Sequence, residues 1–254
     1  MKVLAILGSP KGKGYGLEIA QAIEERMNGR GKVEFDYLML KDAALGLCRG
    51  CFICVSRGED KCPMKEDRIA IEKRMEAADG ILLVSPGYVQ DVSWLMKNFM
   101  DRFAYTHHRP KLFEKKIMLV ANGGAGLKRT IKTLRMAIGG PEIVSELQAL
   151  KLPWPMNDRA IGKNQARMEK AADRFYTELQ RKEPKVTFGS YMGFRFFKSV
   201  ADSMKEYLPA DYEYYKDRDQ YYYPTKIGLG KKIGSAIMIG ILKSTMKDMA
   251  PRED

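Results

Sequence analysis

The chain has 254 residues, a formal net charge of +12, 45% apolar residues and 30% charged residues. That is long enough for one α/β domain with an appendage, and too apolar for a disordered chain. No apolar run approaches the roughly 20 residues that span a bilayer. The basic residues are spread along the whole chain without a recognised nucleic-acid motif, which argues against a nucleic-acid partner.

Residues 1–7 form a short apolar run that leads into Gly8-Ser9-Pro10-Lys11 rather than a small-residue cleavage site. They read as a buried first strand of a cytoplasmic protein, not as a signal peptide. Further apolar runs at 33–40, 81–85, 117–121 and 143–150 are expected strands. Between them apolar residues recur every three or four positions: Ile19, Ile23 and Met27; Val92, Leu95, Phe99 and Phe103; Leu127, Ile131, Leu134 and Ile138; Met168, Ala172, Phe175 and Leu179. Residues 67–78 give a less regular helix. Five strands alternating with helices predict a parallel sheet covered on both faces, a three-layer α/β sandwich with the flavodoxin-like strand order 2-1-3-4-5. In such a sheet ligands bind beyond the carboxyl ends of the strands, so the loops after strands one, three and four are the candidate site.

The expected domains are residues 1–182, with a cysteine-containing insertion at 48–62, and a helical extension at 183–254. In the extension, residues 189–208 predict an amphipathic helix with Phe196, Phe197, Val200, Met204 and Leu208 as its apolar set. A tyrosine-rich stretch follows, and then a helix with Ile233, Ile237 and Ile241 along one face. That face is expected to pack on the sheet domain or at a subunit contact. An anionic membrane is the alternative, since Lys231, Lys232, Lys243 and Lys247 flank the stripe.

The first loop, residues 8–16, contains four glycines, Ser9, Lys11 and Lys13, and runs straight into a helix. Backbone N–H groups at a helix N-terminus suit a phosphate dianion. The spacing is neither the Walker A nor the dinucleotide pattern. Here the chain resembles the NADPH-dependent FMN reductases of the flavodoxin-like superfamily, matching their first loop at Ser9, Pro10 and Lys11. It departs where the family has asparagine and a hydroxyl residue, with Tyr15 and Gly16 instead. The loop Ser85-Pro86-Gly87-Tyr88-Val89 and the following Lys97-x-Phe99-x-Asp101-Arg102 resemble the family's ring-wrapping loop and helix. Asn122-Gly123-Gly124 resembles the loop on the other side of the flavin. The resemblance implies an FMN site made by Ser9, Lys11, Gly14, Tyr15, Gly16, Pro86, Gly87, Tyr88, Val89, Asn122, Gly123 and Gly124. No catalytic side chain is assigned: His107 and His108 read as a polar turn ending a helix.

All four cysteines lie within one segment as Cys48-x2-Cys51-x2-Cys54-x7-Cys62-Pro63. Two successive x2 gaps place thiolates around one compact loop, as in bacterial ferredoxins, with zinc or free thiols as alternatives. The segment, followed by Glu66-Asp67, resembles the motif of the iron-sulfur flavoproteins, which implies a 4Fe–4S cluster on Cys48, Cys51, Cys54 and Cys62. The expected function is an FMN-dependent oxidoreductase. It would pass electrons from a ferredoxin-like donor or NAD(P)H to a small-molecule acceptor, and Lys41, Arg49 and Arg57 would steer an acidic donor. The alternatives are a cluster-free NAD(P)H-dependent FMN or quinone reductase and a non-enzymatic electron carrier. The resemblance also implies a homo-oligomer.

Overall fold

The five apolar runs become β1 (Lys2–Leu7), β2 (Glu34–Met39), β3 (Gly80–Pro86), β4 (Lys116–Gly123) and β5 (Glu142–Leu150). All pair in parallel, in the order β2-β1-β3-β4-β5. The computed structural model describes residues 1–64 and 67–245; Glu66 and Lys247 lie outside the described residues. The helices are α1 (Tyr15–Asn28), α2 (Ile53–Ser56), α3 (Arg68–Ala77), α4 (Trp94–Arg102), α5 (Tyr105–His108), α6 (Leu127–Leu134), α7 (Asp158–Leu179), α8 (Phe188–Ser203), α9 (Pro209–Tyr215) and α10 (Leu229–Thr245). The short α2, α5 and α9 have no counterpart in the sequence reading, because one or two turns carry too few residues for a helical period to show.

Two units divide the chain: residues 1–51 with 62–184, and residues 52–61 with 185–254. In the first, alternate residues of the central strands point to opposite faces. Val3, Ala5 and Leu7 of β1, with Leu82, Val84, Met118 and Val120, pack against Ile19, Ile23 and Met27 of α1 and Ala172 and Phe175 of α7. Leu4, Ile6, Ile81, Leu83, Ile117 and Leu119 alternate with them and are equally buried. Their face is covered from the side of α3, which contacts β1, and α6, which contacts β3, β4 and β5. Burial on both faces explains why these strands read as unbroken apolar runs rather than alternating ones.

The second unit is organised by aromatic rings. Tyr191, Phe194, Tyr215 and Tyr221 are buried together, with Tyr214, Tyr222 and Tyr223 packed against them. Phe194 meets Tyr222 edge-on, with ring centroids 5.1 Å apart. The tyrosine-rich stretch is therefore core, its hydroxyls giving large rings a polar end. Thr187 starts α8 with a capping box, in which Thr187 and Ser190 each accept the other's backbone N–H.

Phe175 is fully buried where α7 meets the sheet. Phe175→Ala is expected to lower unfolding free energy by about 3–5 kcal/mol, read from denaturant titration.

Candidate functional site

Loops after β1, β3 and β4 meet at the carboxyl edge of the sheet. The β1 loop enters α1 at Gly14, whose backbone is extended and which offers no side-chain cap. The first-turn amides of α1 therefore face outward without a side-chain acceptor, at the positive end of the helix dipole. Lys11 and Lys13 are exposed on this loop, and the Ser9 hydroxyl accepts the Lys11 N–H at 3.3 Å. A Cβ on Gly12 would stand 2.6 Å from Lys41 Cε, so the Lys41 side chain lies against this loop. In the sequence reading Lys41 has a part in steering an acidic donor and is not tied to this loop. Its position becomes visible only once β2 pairs with β1, with the Leu40 N–H bonded to the Leu7 carbonyl.

Gly16 explains the departure from the family pattern. A Cβ there would stand 3.2 Å from Val84 Cγ1 and 3.4 Å from Asn122 Oδ1, so the missing side chain lets α1 start close against the ends of β3 and β4. Asn122 Oδ1 is buried and has no hydrogen-bond partner among the described residues. An orphaned acceptor of this kind costs about 1–3 kcal/mol unless a ligand group satisfies it. The Tyr15 hydroxyl turns elsewhere, accepting from Asn164 Nδ2 at 3.4 Å, while Lys151 Nζ stands 4.8 Å from its ring centre. What Tyr15 presents to the rim is its backbone amide. A cavity of about 1010 Å³ between α1 and α7 shares only Tyr15 with the candidate residues. The convergent donors lie at the rim, not in that cavity.

On the β3 side, the Gly87 N–H donates to the Asn122 carbonyl at 2.8 Å, joining two of the three loops. Tyr88 and Asp91 exchange both backbone hydrogen bonds across a two-residue turn. Its central residues, Val89 and Gln90, have φ of 49° and 64°. Positive φ at a β-branched residue is strained, and such strain gathers at functional sites. Val89 is fully exposed and Tyr88 is 39% exposed at the turn. Asp91 anchors the turn: burial pushes its carboxyl up, but hydrogen bonds from Thr133, the Val92 N–H and Arg129 outweigh that and hold it below the usual range. Gly126, at φ 71°, brings the β4 loop onto this turn, since a Cβ there would stand 2.4 Å from Gln90 Cα. Gly123 and Gly124 lie between, and the Gly123 carbonyl accepts the Lys151 N–H at 3.0 Å.

Helix α4 connects this rim to the cysteine segment. Ser93 caps it, accepting from the Met96 N–H, and donates to the Gly8 carbonyl at 2.5 Å. Five residues on, Asn98 accepts the Cys48 N–H at 2.9 Å and donates to the carbonyls of Leu45 and Gly46. Arg102, 2% exposed, donates to the Gly46 carbonyl at 2.8 Å and to that of Met64 at 2.6 Å. It thereby pins both ends of the cysteine segment. These roles were missed in the sequence, where Lys97-x-Phe99-x-Asp101-Arg102 registered only as a pattern. Cys48 and Cys51 are exposed, Cys54 and Cys62 half-buried, and no disulfide joins them. Cys48, Cys51 and Cys62 belong to the first unit and Cys54 to the second. Among the described residues no three Cys, His, Asp or Glu side chains are gathered to hold a metal ion. His107, in α5, bonds the Met136 carbonyl through Nε2 at 2.9 Å, and burial holds its pKa below the ordinary value.

A five-stranded parallel sheet of this order defines a flavodoxin-like fold, with an anion-ready first loop and an orphaned acceptor at its rim. Residues 1–145 match the family described as NADPH-dependent FMN reductase, and the chain belongs to that family. It is a flavin-dependent oxidoreductase that uses FMN. An iron-sulfur flavoprotein from Archaeoglobus fulgidus is 27% identical over 230 residues, covering 86% of this chain and 99% of the relative. One from Methanocaldococcus jannaschii is 38% identical over 104 residues, covering 40% and 51%. Among solved structures, an NAD(P)H:quinone oxidoreductase from Methanothermobacter marburgensis superposes with a TM-score of 0.55 at 17% identity, covering 68% of this chain and 97% of that one. The likeness to the solved structure is one of fold. No helix among the described residues is long and apolar enough to cross a membrane.

Two substitutions probe the rim and the clamp. Gly126→Ala is expected to strain the contact with Gln90 by about 1–3 kcal/mol and to weaken FMN binding, read by flavin fluorescence titration. Arg102→Met is expected to cost about 1–3 kcal/mol for each carbonyl left without its donor, and to speed alkylation of Cys48, read by mass spectrometry.

Proposed function

We propose that the protein passes electrons from NAD(P)H or a ferredoxin-like one-electron donor to a small-molecule acceptor, with FMN held at the rim of the sheet. The observation that carries this reading is the partnerless Asn122 Oδ1 beside the uncapped start of α1. Those features fit a ligand with a hydrogen-bonding ring at one end and a phosphate at the other. When bound, FMN supplies both hydride and single-electron chemistry. The backbone amides of Gly14, Tyr15 and Gly16 would hold the phosphate, with Ser9 adding a hydroxyl and Lys11, Lys13 and Lys41 adding positive charge. Pro86, Gly87, Tyr88 and Val89 would bound the ring on one side, and Asn122, Gly123 and Gly124 on the other. Tyr88 offers an aromatic surface there, and the glycines a main chain without Cβ atoms.

A 4Fe–4S cluster on Cys48, Cys51, Cys54 and Cys62 is part of the same reading. Its support is the cysteine spacing and the similarity to iron-sulfur flavoproteins. The flavin chemistry proposed does not depend on the cluster. A second reading, a cluster-free NAD(P)H-dependent FMN or quinone reductase, draws on the family description over residues 1–145. A homo-oligomer belongs to the proposal on the strength of the resemblance.

Anaerobic purification followed by flavin, iron and sulfide assay tests the proposal. The expected product is yellow and carries FMN with about four iron atoms per chain. An iron-free protein that turns over with NAD(P)H favours the second reading, and one that stays colourless and refuses added FMN refutes the site. Riboflavin is expected to bind at least about tenfold more weakly than FMN, and Lys11→Ala to narrow that gap, since the lysine acts on the phosphate alone.

A further inference from the structure

Helix α10 is held by one face. Ser235 and Ile239, four residues apart, are 0% and 8% exposed, and the helix contacts α8. The Lys231 ammonium donates to the Val186 carbonyl at 2.7 Å. The opposite face carries Leu229, Ile233, Ile237 and Ile241, spaced every four residues, with Met238 beside them, and all five are 44–72% exposed. Ala236 and Gly240, also exposed, add nothing polar to this side. The sequence reading expected this stripe to be covered. An exposed apolar strip three turns long on a basic protein marks an interaction surface.

Charge decides between the candidate occupants. From residue 220 to 247 the chain holds Lys226, Lys231, Lys232, Lys243 and Lys247 and no Asp or Glu. Pairing α10 with a second copy would lay lysines alongside lysines in either direction, since the helix has no acid to offset them. A surface that is apolar inside and negatively charged outside meets both features at once. At 17 residues the helix is about 25 Å long, short of the roughly 30 Å hydrocarbon core, so it would lie in the interface rather than cross it. We propose that α10 is an in-plane anchor that binds anionic lipid bilayers through Leu229, Ile233, Ile237 and Ile241, with Lys226 and Lys232 on the headgroups.

The test is co-sedimentation of the full FMN-loaded chain with phosphatidylglycerol-rich vesicles and with pure phosphatidylcholine vesicles. Binding is expected to be at least about tenfold stronger to the anionic vesicles and to weaken as salt is raised. Ile233→Ser with Ile237→Ser, and separately Lys226→Glu with Lys232→Glu, should each reduce anionic binding about tenfold. Both pairs are exposed, so melting temperature and FMN content should hold and would reveal a folding defect. Vesicle binding that is absent, or unchanged by both pairs, overturns the proposal. So does an isoleucine variant whose mass in light scattering falls from an oligomer to a monomer while lipid binding stays the same, because the stripe would then be a contact between copies.

Discussion

Ser93 is fully buried where the β3 loop turns into α4, and its hydroxyl donates to the Gly8 carbonyl while accepting the Met96 N–H. Its own N–H donates to the hydroxyl of Ser85, also fully buried. A polar knot in so apolar a place holds only if its donors and acceptors are matched, and these are. Because the knot joins the end of β1 to the start of α4, it fixes the β1 loop against the β3 loop. Other close approaches complete the rim, that of Gly16 to Asn122 and that of Gly126 to Gln90.

From the same knot α4 runs toward the cysteines, where Asn98 and Arg102 grip the chain on both sides of the segment. One helix thus carries the link to the β1 and β3 loops at its first turn and the clamp of the cysteine segment at its last. Both act on backbone carbonyls and amides and so tie down main chain, and the Cys48 thiol itself donates to the Asp101 carbonyl of the same helix. The strain at Val89 and Gln90 belongs to the same economy. Asp91, held ionised by Thr133, Val92 and Arg129, keeps the turn closed against its unfavourable backbone angles.

The second unit solves a different problem, that of making a core from few aliphatic residues. Its tyrosines and phenylalanines bury large areas per residue, and the tyrosines keep their hydroxyl ends for hydrogen bonds. Burial pushes the Tyr215 phenol well above its ordinary pKa. With the core built from rings of α8, α9 and the stretch after α9, Ile233, Ile237 and Ile241 of α10 are left over, and they face outward.

The parallel sheet and its order were readable from the chain alone, because strands buried on both faces must be apolar throughout and right-handed crossovers leave few arrangements for five of them. The rim was readable too, since glycines clustered after β1 and β4 announce main chain that must approach something closely. The roles of Lys41, Asn98 and Arg102 were not, because each acts on residues some 30 to 60 positions away and leaves no local period or spacing. Nor could helical periodicity tell which apolar stripe would be covered. The spacing of Ile233, Ile237 and Ile241 matches that of Ile19, Ile23 and Met27, and only the packing of neighbouring elements buried one set and left the other in solvent.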